Sequence, residues 1–279
     1  MVNFNGTIVP STENFLAENR AFLYGDGVFE TVKILDGKVL FLEDHYFRLM
    51  SGMRIVRMKI PMDFTMEFFE SQLLEIAAAN NCIDSGRVRI TVFRNSGGFY
   101  LPKDSSVGFV ISAIPLENKV YVIGKKQYEV DLFKDFYITK QLLSSVKTTN
   151  KLINITGSIY ADENALQNCL LLNDSKTVVE ALNGNVFMLS GNKLVTPPLS
   201  EGCLNGVMRK QILAIARKVE GIEVSEEIIS PFDLQKADEI FITNVITGIQ
   251  PVTKYRKKDF GTAFAESLLV KLNAQIRFS

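Results

Sequence analysis

The chain has 279 residues, 47% hydrophobic and 22% charged, which allows one large or two medium cores and is too apolar for a disordered chain. Lys and Arg together number 31, as do Asp and Glu, so no net positive field draws the chain to nucleic acid or an anionic membrane. Its one histidine, His45, excludes a histidine-rich metal site, and its three cysteines, Cys82, Cys169 and Cys203, are too scattered for a metal cluster or a disulfide framework. No run of 18 apolar residues is present, and the opening Met1–Gly6 lacks a basic region followed by an apolar stretch. The expectation is a soluble cytoplasmic protein that binds no metal, nucleic acid or membrane. Acid–base work would then fall to carboxylates, lysine, tyrosine or a cofactor.

In chain order, Asn3–Val9 reads as a short strand with a turn at Asn5-Gly6. Asn19–Tyr24 leads into Gly25-Asp26-Gly27-Val28-Phe29-Glu30-Thr31, a glycine-flanked aspartate feeding an alternating strand that runs to Ile34. Asp36-Gly37-Lys38 is a hairpin turn with Val39–Leu42 as the return strand, and a helix begins at Glu43 with acidic residues in its first turn. Asp63–Asn80 is a second helix. Gly86–Arg94 alternates, with Arg87, Arg89 and Thr91 on one side and Val88, Ile90 and Val92 on the other, as in a half-buried strand with a solvated arginine face. Asn95–Tyr100 is a glycine loop and Val107–Ile114 another strand. Pro115–Lys119 begins a linker, which divides the chain into a small α/β domain over 1–114, a linker over 115–123 and a larger domain over 124–279.

In the second half, Lys119–Val130 and Asp135–Thr139 are strand-like, Ile153–Asn168 is helical and Cys169–Asn173 is a strand. Two strand segments flank a Gly/Asn break within Thr177–Leu189, and Glu180 follows two valines, so its carboxylate needs a partner. Leu194–Thr196 is a short strand and Pro197–Leu204 an irregular loop. Asn205–Ala216 is a helix with Asn205 as candidate N-cap and a glycine that lets an anion approach the N–H groups of Val207 and Met208. Ser225–Ile229 and Glu239–Thr243 are strands, the latter ending in the polar turn Asn244–Gly248, and Thr262–Phe278 is a terminal amphipathic helix.

Between these halves stands Val146-Lys147-Thr148-Thr149-Asn150, a lysine among small polar residues rather than other charges. It reads either as a loop lysine before a helix or as an amine at the mouth of a pocket. Burial there would favour the neutral amine that condenses with carbonyls or takes a proton.

Six motifs in order resemble the fold-type IV pyridoxal-phosphate enzymes, a group of branched-chain and D-amino-acid aminotransferases and aminodeoxychorismate lyase. They are Gly25–Thr31, His45 with Arg48-Leu49, Val146–Asn150, Glu180 with Asn185-Val186-Phe187, Asn205–Arg209, and Asn244 through Pro251-Val252. The resemblance implies a mixed α/β, two-domain fold and a homodimer with the site near the subunit interface. It also implies pyridoxal 5'-phosphate as cofactor, with Lys147 binding it covalently and moving protons. Glu180 would pair with the pyridine nitrogen, and Arg48, the N–H groups of Val207 and Met208, and the Asn244-Val245 turn would hold the phosphate.

Within the family, Thr31, Met208 and the Thr243-Asn244-Val245 turn are similar to the lyase pattern, and Lys151 stands where branched-chain aminotransferases carry tyrosine. The implied reaction converts 4-amino-4-deoxychorismate to 4-aminobenzoate and pyruvate, with Lys147 and Thr31 handling protons. The Gly97–Tyr100 loop lacks the arginine expected near Phe99, so substrate carboxylate recognition falls to Arg89 or Arg94, with Tyr100 beside them. The alternatives are an aminotransferase for branched-chain or D-amino acids and an inactive relative acting as a scaffold.

Overall fold

The computed structural model describes residues 1–11, 17–124 and 126–278. The chain is mixed α/β, with three sheets and six α-helices among the described residues, and it divides into two compact units. One unit comprises Met1–Lys119 together with Val146–Asn150, and the other comprises Val120–Ser145 and Lys151–Ser279.

In the first unit, β1 (Val2–Phe4) and β2 (Thr7–Val9) form a hairpin around the Asn5-Gly6 turn. The short helix α1 (Arg20–Tyr24) ends on Gly25, whose φ of 65° is the left-handed conformation that glycine adopts without strain. It leads into β3 (Gly27–Leu35), which returns through Asp36-Gly37 to β4 (Lys38–Val39). That return strand is shorter than its sequence suggests, because Phe41 turns the chain with φ 58° and α2 (Leu42–Ile55) starts at once. Helix α3 (Met66–Ala79) is capped by the Thr65 hydroxyl, which accepts from the Phe68 N–H. Strands β5 (Ser85–Arg94) and β6 (Val107–Pro115) complete an antiparallel sheet in the order β2-β1-β6-β5-β3-β4.

Alternation along β3 and β5 sends Val28, Val32, Ile34, Val88, Ile90 and Val92 into a core shared with Leu49 and Met53 of α2 and Leu73 and Ile76 of α3. Glu30 belongs to this same apolar face by period, whereas Phe29, Thr31, Arg89 and Thr91 share the other. The Val146–Thr149 segment adds to the edge of β3: Phe29 N–H donates to the Lys147 carbonyl at 2.9 Å and Thr149 N–H to the Gly27 carbonyl at 2.9 Å.

In the second unit, no strand forms before β7 (Glu129–Ile138) among the described residues, although Lys119–Val130 looks strand-like in sequence. The reason is visible at Tyr121. Its N–H and C=O pair with the Asn273 side-chain amide, and its hydroxyl donates to the Val245 carbonyl, so side chains satisfy groups that a ladder would otherwise use. Helix α4 (Leu152–Glu163) crosses over to β8 (Asn168–Asn173), parallel to β7, and β9 (Val178–Ala181) pairs with β8. Strands β10 (Asn185–Ser190) and β11 (Lys193–Thr196) form a hairpin, α5 (Val207–Ala216) crosses to β12 (Glu223–Glu226), and β13 (Glu239–Asn244) pairs with β10 and β14 (Gly248–Val252). Short β15 (Lys254–Tyr255) and β16 (Lys258–Asp259) extend the sheet of β7, and α6 (Ala263–Phe278) closes the unit.

The two five-stranded sheets share one core, in which Val130, Leu132 and Leu170 meet Val186, Ile240 and Ile242. On the opposite face Phe187 and Phe241, directly opposed in register, stack with ring centroids 5.1 Å apart on the side covered by α5 and α6.

Candidate active site

The residues singled out in the sequence fall into one group within each unit. In the first unit the edge-strand alternation of Val146–Thr149 sorts side chains to two faces. Val146 is buried against α2, where a Cβ on Gly52 would lie 3.4 Å from its Cγ1. Lys147 therefore turns to the other face, and its Nζ lies 4.5 Å from the centre of the Phe29 ring. The Arg89 guanidinium stacks on the same ring at 3.7 Å and also donates to the Thr91 hydroxyl at 3.3 Å. Thr31 is buried on this face, directly opposite Arg89 in the β3–β5 ladder and about 7 Å along the strand from Phe29. Lys147 and Arg89 thus share one aromatic ring, and Thr31 lies on the same face of the sheet. The arginine face of β5 is not the solvated surface that alternation alone suggests.

On the core side of β3, Arg48 from α2 grips Glu30 with two bonds, Nε to Oε1 at 2.7 Å and Nη2 to Oε2 at 2.6 Å. His45, one turn earlier on the same helix, donates from Nδ1 to Glu30 Oε2 at 2.7 Å. Burial by itself would raise the Glu30 carboxyl, yet the charge of Arg48 and the bonds from Arg48 and His45 hold it at about 2. Burial lowers His45, and the charges of Arg48 and Lys147 add to that despite the pull of Glu30, so the ring is neutral at pH 7. With Glu30 ionised, the proton sits on Nδ1. His45 Nε2 is buried with no hydrogen-bond partner among the described residues.

Arg94 has other work. Its Nε donates to Asp26 and its terminal nitrogens to the carbonyls of Val56 and Arg57. Arg20 Nε donates to the same Asp26 oxygen, Oδ2, at 2.8 Å, and its Nη1 donates to the carbonyls of Gly97, Gly98 and Phe99, which fixes the glycine loop. Tyr100, at the tip of that loop, is 90% exposed and meets only the edge of Tyr24 among the aromatic rings described.

In the second unit Glu180 is buried on β9, and its Oε2 accepts the Leu204 N–H at 3.0 Å. Asn185 Nδ2 donates to the Leu204 carbonyl at 2.9 Å, so the N–H and the C=O of Leu204 are both held by side chains. Helix α5 follows, with Gly206 rather than Asn205 at its N-cap and no side-chain cap on its first N–H groups, those of Val207 and Met208. Asn185 explains the glycine: a Cβ on Gly206 would sit 1.9 Å from the Asn185 Oδ1. Asn185 also opposes Thr243 in the β10–β13 ladder, which sets the start of α5 beside the Asn244-Val245 turn. Asn244 Oδ1 accepts from the N–H groups of Ile246 and Thr247 and so shapes the turn. Burial, reinforced by the charge of Glu180, pushes the neighbouring Cys203 thiol up to about 12, so it is no nucleophile.

Glu30, His45, Phe29 and Asn185 carry roles that sequence reasoning did not assign. A carboxylate at Glu30, in period with Val28, Val32 and Ile34, was the available signal.

The family model for amino-transferase class IV matches residues 27–255, most of the chain. The chain belongs to the class IV aminotransferase family. Members of this family are fold-type IV pyridoxal-phosphate enzymes, and the chain is one of them. Among relatives, it is 32% identical over 236 residues to a provisionally named branched-chain-amino-acid aminotransferase of Methanocaldococcus jannaschii, covering 84% of this chain and 80% of that one. It is 30% identical to a D-alanine aminotransferase of Listeria monocytogenes, over 85% of this chain and 80% of the relative. Among solved structures, the branched-chain aminotransferase of Thermoproteus uzoniensis superposes with a TM-score of 0.85 at 22% identity, covering 97% and 92% of the two chains. A provisionally named 4-amino-4-deoxychorismate lyase of Legionella pneumophila superposes with 0.82 at 23% identity, covering 95% and 96%. At these identities the superpositions speak for the class IV fold alone.

The donor sets fit the cofactor's chemistry. An ion-paired arginine, a helix start without a side-chain cap and a polar turn suit a phosphate, a buried carboxylate suits a ring nitrogen, and a lysine suits an aldehyde. Among the described residues no helix is long and apolar enough to cross a membrane.

Proposed function

We propose that the chain is a pyridoxal-phosphate-dependent 4-amino-4-deoxychorismate lyase that forms 4-aminobenzoate and pyruvate. The observation that carries this reading is the position of Thr31 on the face of β3 that presents Phe29, on whose ring Lys147 rests. A hydroxyl two residues along from the lysine's platform suits a reaction that must return a proton to a departing three-carbon fragment. Met208, buried at the start of α5, fits the same reading.

In this proposal Lys147 carries the cofactor, Glu180 faces its pyridine nitrogen, and Arg48, the N–H groups of Val207 and Met208, and the Asn244-Val245 turn hold its phosphate. When bound, the cofactor supplies an electron sink for the carbon next to the substrate amine. Everything else falls to the chain. The Lys147 amine removes the proton from the amine-bearing carbon, enolpyruvate leaves the neighbouring carbon, and the ring becomes aromatic. Lys147, with Thr31 beside it, then delivers the proton that completes pyruvate. Arg89, stacked on Phe29, is the guanidinium best placed for a substrate carboxylate, whereas Arg94 is engaged by Asp26 and Tyr100 stands at the exposed loop tip. A homodimer in the cytoplasm is part of the same proposal.

The names of the relatives favour a second reading, transfer of the amino group from D-alanine or a branched-chain amino acid. The assay that separates the two supplies 4-amino-4-deoxychorismate and follows 4-aminobenzoate fluorescence. No product, together with rapid amino transfer to 2-oxoglutarate, overturns the lyase in favour of the aminotransferase.

A further inference from the structure

We infer that Glu30 is a positioning residue for cofactor binding: its buried carboxylate orients the Arg48 guanidinium toward the cofactor's phosphate. The inference rests on the proposed role of Arg48. A carboxylate on the apolar face of a central strand is costly to bury, and a hydrophobe at that period would serve the core better. Glu30 is 1% exposed, among Val28, Val32 and Ile34. Both of its oxygens are engaged, each by Arg48, and one also by His45.

The geometry gives the carboxylate a specific consequence. Holding Nε and Nη2 in a two-point grip fixes the plane of the guanidinium and so the direction in which its outer N–H groups point. His45 braces the opposite side of the same carboxylate, with its proton on Nδ1. Arg48 itself is only 15% exposed, so an ungripped guanidinium could not simply relax into water at the same place.

Charge alone predicts the opposite sign for the test. Deleting the Glu30 charge removes a repulsion on a phosphate dianion and would tighten its binding. Orientation predicts weaker binding, because a glutamine presents an amide N–H to an arginine that needs an acceptor. The measurement is the affinity of the full-length apoprotein for pyridoxal 5'-phosphate and, separately, for pyridoxal, which lacks the phosphate.

The Glu30→Gln variant is expected to bind pyridoxal phosphate about tenfold to a hundredfold more weakly with pyridoxal unchanged, the loss typical of charge-assisted bonds. Glu30→Asp, which keeps the charge but retracts it, should lose part of the same preference. An unchanged or increased preference for the phosphate in Glu30→Gln overturns the inference, as does an equal loss for both ligands. Arg48→Ala is the control for the underlying reading. If it leaves the phosphate preference intact, Arg48 is not the phosphate ligand and both fall together. If Arg48→Ala removes the preference and Glu30→Gln does not, the Glu30 inference alone falls. A wild-type measurement covers the case in which the variants do not fold. The Arg48 Nε–H should exchange with solvent at least about tenfold more slowly than that of Arg217, whose side chain is 56% exposed, and equal rates overturn the inference.

Discussion

Replacing Gly206 by alanine tests how the start of α5 is built. Its φ of −68° and ψ of 133° are open to any residue, so backbone strain plays no part. The obstacle is Asn185, whose Oδ1 would be 1.9 Å from the new Cβ, about 1.5 Å inside an ordinary contact. Asn185 is buried and donates to the Leu204 carbonyl at 2.9 Å, so retreat of the amide breaks that partly buried bond. Leaving those groups unpaired costs about 1–3 kcal/mol, and alanine is poorer than glycine at an N-cap by a few tenths. The stiffer unfolded chain returns about 0.4–1 kcal/mol. A net loss of about 1–2 kcal/mol follows, a fall in Tm of roughly 2–8 °C for a chain of this size. Calorimetry of the apoprotein reads this directly. In an Asn185→Ala background the obstacle is gone, and Gly206→Ala should change stability by less than about 0.5 kcal/mol. An equal loss in both backgrounds, or none in either, refutes the reasoning. If the glycine serves only to admit an anion, cofactor affinity alone will fall.

Other outcomes follow from the same geometry. Asp26→Asn removes the charge shared by Arg20 and Arg94 and should cost about 2–4 kcal/mol in urea unfolding, because both arginines are buried. Acid should weaken the fold in two stages. Below about pH 6.5 the unfolded chain protonates His45 while the native ring resists, and below about pH 4.3 it protonates Glu30 while the native carboxylate holds out to about 2. The contribution of these two groups is therefore complete above pH 6.5 and falls with each stage, and a His45→Gln variant that keeps the upper stage would contradict this. Thr31→Val, nearly isosteric, should leave the fold intact and slow the lyase reaction about tenfold to a hundredfold, and an unchanged rate removes Thr31 from the mechanism.

The sequence made some of this legible and hid the rest for identifiable reasons. Period-2 alternation announced β3 and β5, and turn chemistry announced the hairpins at Asn5-Gly6 and Asp36-Gly37, because local rules govern them. Lys119–Val130 misled because Tyr121 is anchored by Asn273, more than 150 residues away in the chain, and no local pattern records that. The N-cap of α5 was misplaced by one residue because Asn185, not Asn205, governs the position. The arginines of β5 looked interchangeable in sequence, yet Arg89 stacks on Phe29 while Arg94 serves Asp26, a distinction set by what faces each of them. Motif order pointed to Lys147 and Arg48. The carboxylate that holds Arg48 lay in plain view inside the Gly25–Thr31 motif, on a face where acids are rare.

The lysine of this enzyme is borrowed across the chain. Val146–Asn150 is flanked on both sides by residues of the second unit, yet it completes the sheet edge of the first through backbone bonds to Gly27 and Phe29. A fragment that stops at Lys119 would therefore expose the N–H of Phe29 and the carbonyl of Gly27 along an open strand, the template on which strands of other molecules pair. During synthesis this edge stays open until more than a hundred further residues have emerged, and closing so long a loop is a late event in folding. The segment that carries Lys147 is thus among the last parts of the first unit to be locked in place.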